Sequence, residues 1–201
     1  MHARVNIIFG RKDRVDVGIS SLEGADRATV EATDGNRGLT TLVDREGGVI
    51  VAVSYWDEPA HSSQVALTRA REGAAAAAEG DLVVETYEVA ATERMSVPAP
   101  GAVVRMARVQ IEPARLADGL AFLDDEVLPQ LRADAGFCSA EILVDRRLGT
   151  GVFVSTWATE DSAARADTIL DRLHDEAVER VGAKFPRTET YTLVRTSAGV
   201  D

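Results

Sequence analysis

The chain has a single cysteine, Cys138, in 201 residues, so no intrachain disulfide can form. It has two lysines, Lys12 and Lys184, and arginine carries the rest of its positive charge. Its three histidines, His2, His61 and His174, are scattered and form no cluster with metal-ligand spacing, so neither a metal nor another cofactor is expected. Basic residues are outnumbered, 22 Lys and Arg against 33 Asp and Glu, for a net charge of −11. Without a basic footprint, nucleic acids and anionic membrane surfaces are excluded as partners. The sequence also has no apolar run of about 18 residues and no charged start followed by an apolar centre, so the expectation is a cytoplasmic protein with no membrane segment. Hydrophobic content of 45% and charged content of 27% are those of an ordinary globular chain.

What the sequence does have is a repeat. Ala3-Arg4-Val5-Asn6-Ile7 resembles Ala107-Arg108-Val109-Gln110-Ile111, an offset of 104. Asp44-Arg45, a glycine and an apolar run ending at Trp56 return as Asp145-Arg146 and a run ending at Trp157, an offset of 101. Glu85-Thr86-Tyr87 returns as Glu189-Thr190-Tyr191, again at 104. Three landmarks in matching order imply duplication, with two compensating three-residue shifts between the copies.

The second copy reads as a strand from Val103, then a helix with Leu116, Leu120, Leu123, Val127 and Leu131 along one face. Pro129 implies a bent or ending last turn. A hairpin of Phe137 to Val144 and Thr150 to Trp157 follows. Next comes a helix from Glu160 closed by Gly182 and Pro186, and a last strand over Arg187 to Arg195. The order β-α-β-β-α-β is the ferredoxin-like plan. The first copy repeats it with a ragged first helix over Val15 to Glu31, broken at Gly18 and Gly24, and an alanine-rich second helix from Glu58 to Glu79. The domain division is 1–93 for the first unit, 94–101 for a short stiff linker with Pro98 and Pro100, and 102–201 for the second. The strands Val49 to Tyr55 and Gly151 to Thr156 are apolar or small on both faces, so both faces are expected to be buried. Two such units packed sheet to sheet form a single-chain α+β barrel.

These landmarks resemble the antibiotic biosynthesis monooxygenase-like family of the dimeric α+β barrel superfamily. In the second copy the resemblance rests on Leu128-Pro129, Ala135-Gly136-Phe137, Asp145-Arg146, Gly149 and Trp157-Ala158-Thr159-Glu160-Asp161; the first keeps Asp34-Gly35, Asp44-Arg45, Gly47-Gly48 and Trp56-Asp57-Glu58. The resemblance implies units that pair to close a barrel, here both in one chain, which could pair again as a homodimer. It implies a monooxygenase working without metal or flavin on a small aromatic or polyketide-like compound. The alternative is a non-catalytic ligand binder or a degenerate barrel with a structural role. Haem-degrading members combine an asparagine on the first strand with the tryptophan and a histidine at a set distance beyond it. Asn6 and Trp56 fit, but His61 comes five residues after Trp56 and His174 seventeen after Trp157, so the axial ligand is misplaced.

The candidate catalytic residues are His61, Tyr87 and His174, the histidines as general bases that titrate near neutral pH. The candidate substrate-binding residues are Arg4, Asn6, Trp56, Arg108, Trp157 and Tyr191. The tryptophans read either as a stacking wall or as core residues at a sheet–helix corner. The polar strand residues read either as a pocket floor or as partners of Glu85, Glu88 and Glu189.

Overall fold

The computed structural model of the chain describes residues 1–59, 61 and 65–199. Eight strands are hydrogen-bonded in the order β1-β3-β2-β8-β5-β7-β6-β4, a closed barrel, giving the α+β fold of two β-α-β-β-α-β units that the repeat implies. The chain separates into two compact units, Met1–Tyr87 with Thr192–Asp201, and Glu88–Tyr191. No helix of the described residues is long and apolar enough to cross a membrane.

The first unit contains β1 (His2–Phe9), α1 (Val15–Ser21), α2 (Arg27–Glu31), β2 (Asn36–Asp44), β3 (Val49–Trp56), α3 (Val65–Ala77) and the first half of β4 (Asp81–Arg94). All eight residues of β3 are buried, so both of its faces are covered, as its apolar pattern requires. On the helix-facing side Ile8, Val15, Ile19, Leu39, Val43, Ile50, Ala52 and Ala74 make one core cluster. The ragged first helix is two helices joined at a kink, with Gly24 in a non-helical conformation (φ −84°, ψ −131°). Gly18, the other breaker, marks a close crossing: a Cβ there would come within 2.7 Å of Ile50 Cδ1 and 2.9 Å of Ala78 Cβ. The alanines of α3 therefore have a packing role, since Ala74 and Ala78 are fully buried where the chain approaches. The expected helix start at Glu58 runs through residues 60 and 62–64, which lie outside the described residues.

The second unit contains the end of β4, β5 (Val103–Gln110), α4 (Leu116–Phe122), α5 (Leu128–Arg132), β6 (Phe137–Asp145), β7 (Thr150–Trp157), α6 (Glu160–Val181) and the start of β8 (Lys184–Thr196). The apolar stripe expected to form one helix is α4 and α5, linked by a widened turn over Leu123–Val127. Pro129 follows that turn, where its missing N–H costs least. Helix α6 starts with Thr159 accepting a hydrogen bond from Ser162 N (3.2 Å) and ends at Gly182 with φ +70°. Pro186 does not close the helix as expected; it lies inside β8, which begins at Lys184.

The strand registers correct the repeat. His2 faces Trp56 and Val103 faces Trp157, so the offset is 101 from the first strand through the hairpin. Arg4 therefore matches Arg105, and Asn6 matches Ala107; Arg108 and Gln110 are not their counterparts. In the last strands Thr92 pairs with Glu141 and Thr196 with Thr40, so the offset there is 104, as the Glu-Thr-Tyr match indicated. The length difference thus accumulates after the hairpin. Each last strand is also longer than its sequence signal. β4 extends to Arg94, where its end pairs with β6, and β8 extends to Thr196, where its end pairs with β2.

Candidate functional site

In the second unit the helices cover the sheet incompletely and leave an apolar pocket, lined by Ile111, Phe122, Ile142, Phe153, Leu173 and Phe185 among others. About 70 Å³ of it is open to the centres of water-sized molecules. Among the described residues that line it, His174 is the one titratable side chain. Its ring stacks on Phe185 with centroids 4.1 Å apart and planes at 24°. Burial lowers its pKa from the usual 6.5, opposed by the charges of Asp171 and Asp175, so the imidazole is neutral at pH 7.

His174 also faces a polar cleft that shares Phe153 and Leu170 with the apolar pocket and adds Arg105, Ser155, Asp167 and Asp171. About 300 Å³ of the cleft is open to water-sized molecules. Arg105 Nη2 donates to Asp167 Oδ2 at 2.9 Å. A base thus stands between an apolar chamber and a charged mouth.

The lowered pKa has a stability consequence. Between the folded pKa and 6.5 the unfolded chain binds a proton that the folded chain resists, so stability rises with pH across that window and is flat above it. Replacing His174 with phenylalanine should therefore flatten the stability profile on the acid side of pH 6.5 and leave its slope above pH 7 unchanged. Denaturant melts from pH 5 to 8 check this, and an unaltered acid limb would contradict it.

The first unit has a smaller pocket in the equivalent place, lined by Arg4, Asn6, Asp26, Arg27, Trp56 and Arg71 together with apolar residues. Arg4, Asn6 and Trp56, predicted from sequence, do meet there. Trp56 is 1% exposed and its indole N–H donates to Ser54 Oγ at 2.9 Å. Trp157 repeats the bond with Ser155 Oγ at 3.1 Å and packs its edge on Phe137, with ring centroids 5.3 Å apart. It is fully buried and lines neither pocket of the second unit.

Several sequence candidates lie elsewhere. His61 packs on the turn before β2, where a Cβ on Gly35 (φ +74°) would fall 2.0 Å from its Nδ1. It occupies the position of Ser162 in the other copy and does not line the first unit's pocket. Tyr87 donates to Glu85 at 3.2 Å, and Tyr191 to Glu189 at 3.1 Å, so the duplicated tyrosines serve duplicated glutamates. Arg108 also pairs with Glu189, at 3.0 Å. Burial, and then the charge of Glu189, push the Tyr191 phenol far above its usual pKa, so it stays neutral. His2 is paired in β1.

The sequence reading missed Arg71 and Arg105. The signal for Arg71 is in the helix stripes: Leu67, Ala70, Ala74 and Ala78 match Leu170, Leu173, Ala177 and Val181 at a constant offset of 103, which puts Arg71 where His174 stands. Among the described residues, no group of three or more His, Cys, Asp or Glu side chains is placed to hold a metal ion.

No family model matches the chain. Among solved structures, an anthrone oxidase-like protein is similar with a TM-score of 0.71 at 15% identity, covering 100% of this chain and 94% of the other. A monooxygenase-like protein from Listeria innocua is similar at 0.57 and 13%, covering 95% and 93%. The haem-degrading enzyme LmHde from Listeria monocytogenes is similar at 0.53 and 9%, covering 94% and 98%. At such identities the shared property is the α+β barrel fold alone. Sequence relatives are nearer. The Mycobacterium tuberculosis protein Rv2557 is 33% identical over 167 residues, 82% of this chain and 75% of its own length. Rv2558 of the same organism is 30% identical over 202 residues, 96% of this chain and 86% of its own. At that identity and coverage, the chain belongs to the same family as Rv2557 and Rv2558.

Proposed function

We propose that this protein is a monooxygenase-like enzyme that works without metal or flavin on a small aromatic or polyketide-like compound, bound in the second unit. The observation that carries this reading is the apolar pocket with His174 as its one titratable lining side chain among the described residues. The ring system, too large for the apolar pocket alone, lies across that pocket and the adjoining cleft, which share Phe153, Leu170 and His174, and the neutral imidazole takes a proton from an acidic phenol or from a methylene between two aryl groups. Arg105, oriented by Asp167, faces the developing negative charge from the polar side. The electrons come from the substrate. For a diaryl methylene, His174 removes one C–H proton, the carbanion reduces O2 to a peroxide anion, and the imidazolium returns the proton to give the hydroperoxide. Loss of water then leaves the ketone, so one CH2 and one O2 give one C=O and one H2O. The fold that the chain shares with an anthrone oxidase-like protein supports that substrate class.

Anthrone in an oxygen electrode tests the reading. The protein should accelerate uptake of one O2 per anthrone over buffer, and His174→Phe should slow it by about 100-fold. Uptake no faster than buffer, or a variant as fast as the parent, would overturn it. Anthrone binding without oxygen uptake would support the ligand-binding alternative instead.

A further inference from the structure

We propose that the first unit's pocket is a second binding site, for a small carboxylate that also carries an O–H or N–H donor. The two units present different chemistry at matched positions. Where the second unit has Ala107 and His174, the first has Asn6 and Arg71. Arg4 reaches the pocket from β1 and Arg71 from α3, so two guanidinium groups face one space that also contains a tryptophan wall. Burial, and then the positive charge of Arg71, hold the Arg4 pKa below its usual value. A carboxylate between the two forks relieves both effects and suits guanidinium geometry.

Asn6 supplies the independent observation. It is 7% exposed, and its Nδ2 donates to Ala52 O at 3.1 Å. Its buried Oδ1 has no hydrogen-bond partner among the described residues. A buried amide oxygen is costly to leave unsatisfied, and a donor on the ligand would satisfy it. Trp56 cannot serve, because its N–H is committed to Ser54. Arg27 also lines the pocket, but it is held by Glu23 at 3.0 Å and Glu31 at 2.8 Å, so its charge is matched within the protein. Asp26, 3.4 Å from Ser21 Oγ, is a further acceptor on the wall and disfavours an anion that lacks a donor. The space is small, about 30 Å³ for the centres of water-sized molecules, which limits the ligand to a few heavy atoms.

Calorimetric titration of the full chain at fixed ionic strength, with glycolate, acetate and glycolamide, tests the proposal. Glycolate should bind one to one. Acetate, which has no donor for Asn6, should bind about tenfold more weakly or worse, and neutral glycolamide should give no heat. Arg71→Gln should weaken glycolate by about 10- to 100-fold. Arg71→Lys, which keeps the charge and loses the fork, should fall between. His174→Phe should bind glycolate as the parent does, which separates this site from the oxygen chemistry of the second unit. No glycolate binding at millimolar concentration, or equal binding by the parent and a folded Arg71→Gln chain, would overturn the proposal.

Discussion

Replacing Arg27 with methionine should destabilise the first unit by about 3 kcal/mol and lower its melting temperature by roughly 6–12 °C. Arg27 is 2% exposed. Besides its ion pairs with Glu23 and Glu31, it donates to Leu39 O at 2.8 Å and to Ser197 Oγ at 3.2 Å. One side chain thus ties the kinked helix pair to β2 and to the end of the chain. Methionine fills the volume but leaves the Leu39 carbonyl without that donor and Glu23, which is 17% exposed on its side chain, with only the longer contact to Arg195 at 3.9 Å. Glu23 also accepts from Thr41 Oγ1, so its desolvation is not easily relieved. A double variant, Arg27→Met with Glu23→Gln, should recover part of the loss, because it removes the stranded charge. Thermal melts of the two variants decide this; a single variant within 1 °C of the parent would mean that the network contributes nothing.

A chain cut after Arg94 should fail to fold. The residues of β4 from Glu88 to Arg94 pair with β6, and β2 pairs with Thr192–Thr196 of β8. The fragment 1–94 therefore ends in a strand without its partner and exposes the backbone edge of β2 beside the buried Leu42 and Val43. The expected result is loss of the cooperative thermal transition and poor dispersion in amide proton spectra. Co-expression with residues 95–201 should restore both. A monomeric fragment 1–94 with sharp, dispersed amide signals would show that the exchanged strand ends are dispensable.

The two hairpins and the paired tryptophans were legible in the sequence because continuous apolar runs and a large aromatic at a fixed offset survive duplication. The first-strand match was misleading for a geometric reason. The true and apparent offsets differ by three, an odd number, and an odd slip along a strand moves every side chain to the opposite face. Arg108 was therefore assigned the place of Arg105, and it turned out to serve Glu189 on the face away from the helices. The ragged first helix was legible as ragged, since two glycines break its pattern. What Gly18 does there depends on Ala78, sixty residues away, and local patterning has no access to that. For the pockets, Arg4, Asn6 and Trp56 were visible as polar or aromatic residues on apolar strands, and His174 as a titratable residue beside the apolar stripe of α6. Arg71 was not, because an arginine on an alanine-rich helix reads as solvent-facing until the buried stripe is aligned with its counterpart. His61 was selected for its chemistry, whereas its position is that of Ser162, in the first turn of α6, in the other copy.

The pairing of Asn6 with Ala107 has a consequence for inheritance. When two copies of one subunit form a symmetric assembly, a single codon writes both pockets, and any change to one is a change to the other. In this chain the two positions are separate codons. A substitution that alters what the first pocket accepts leaves the second untouched, so selection can act on each pocket alone, and an old activity can persist in one copy while the other acquires a new ligand.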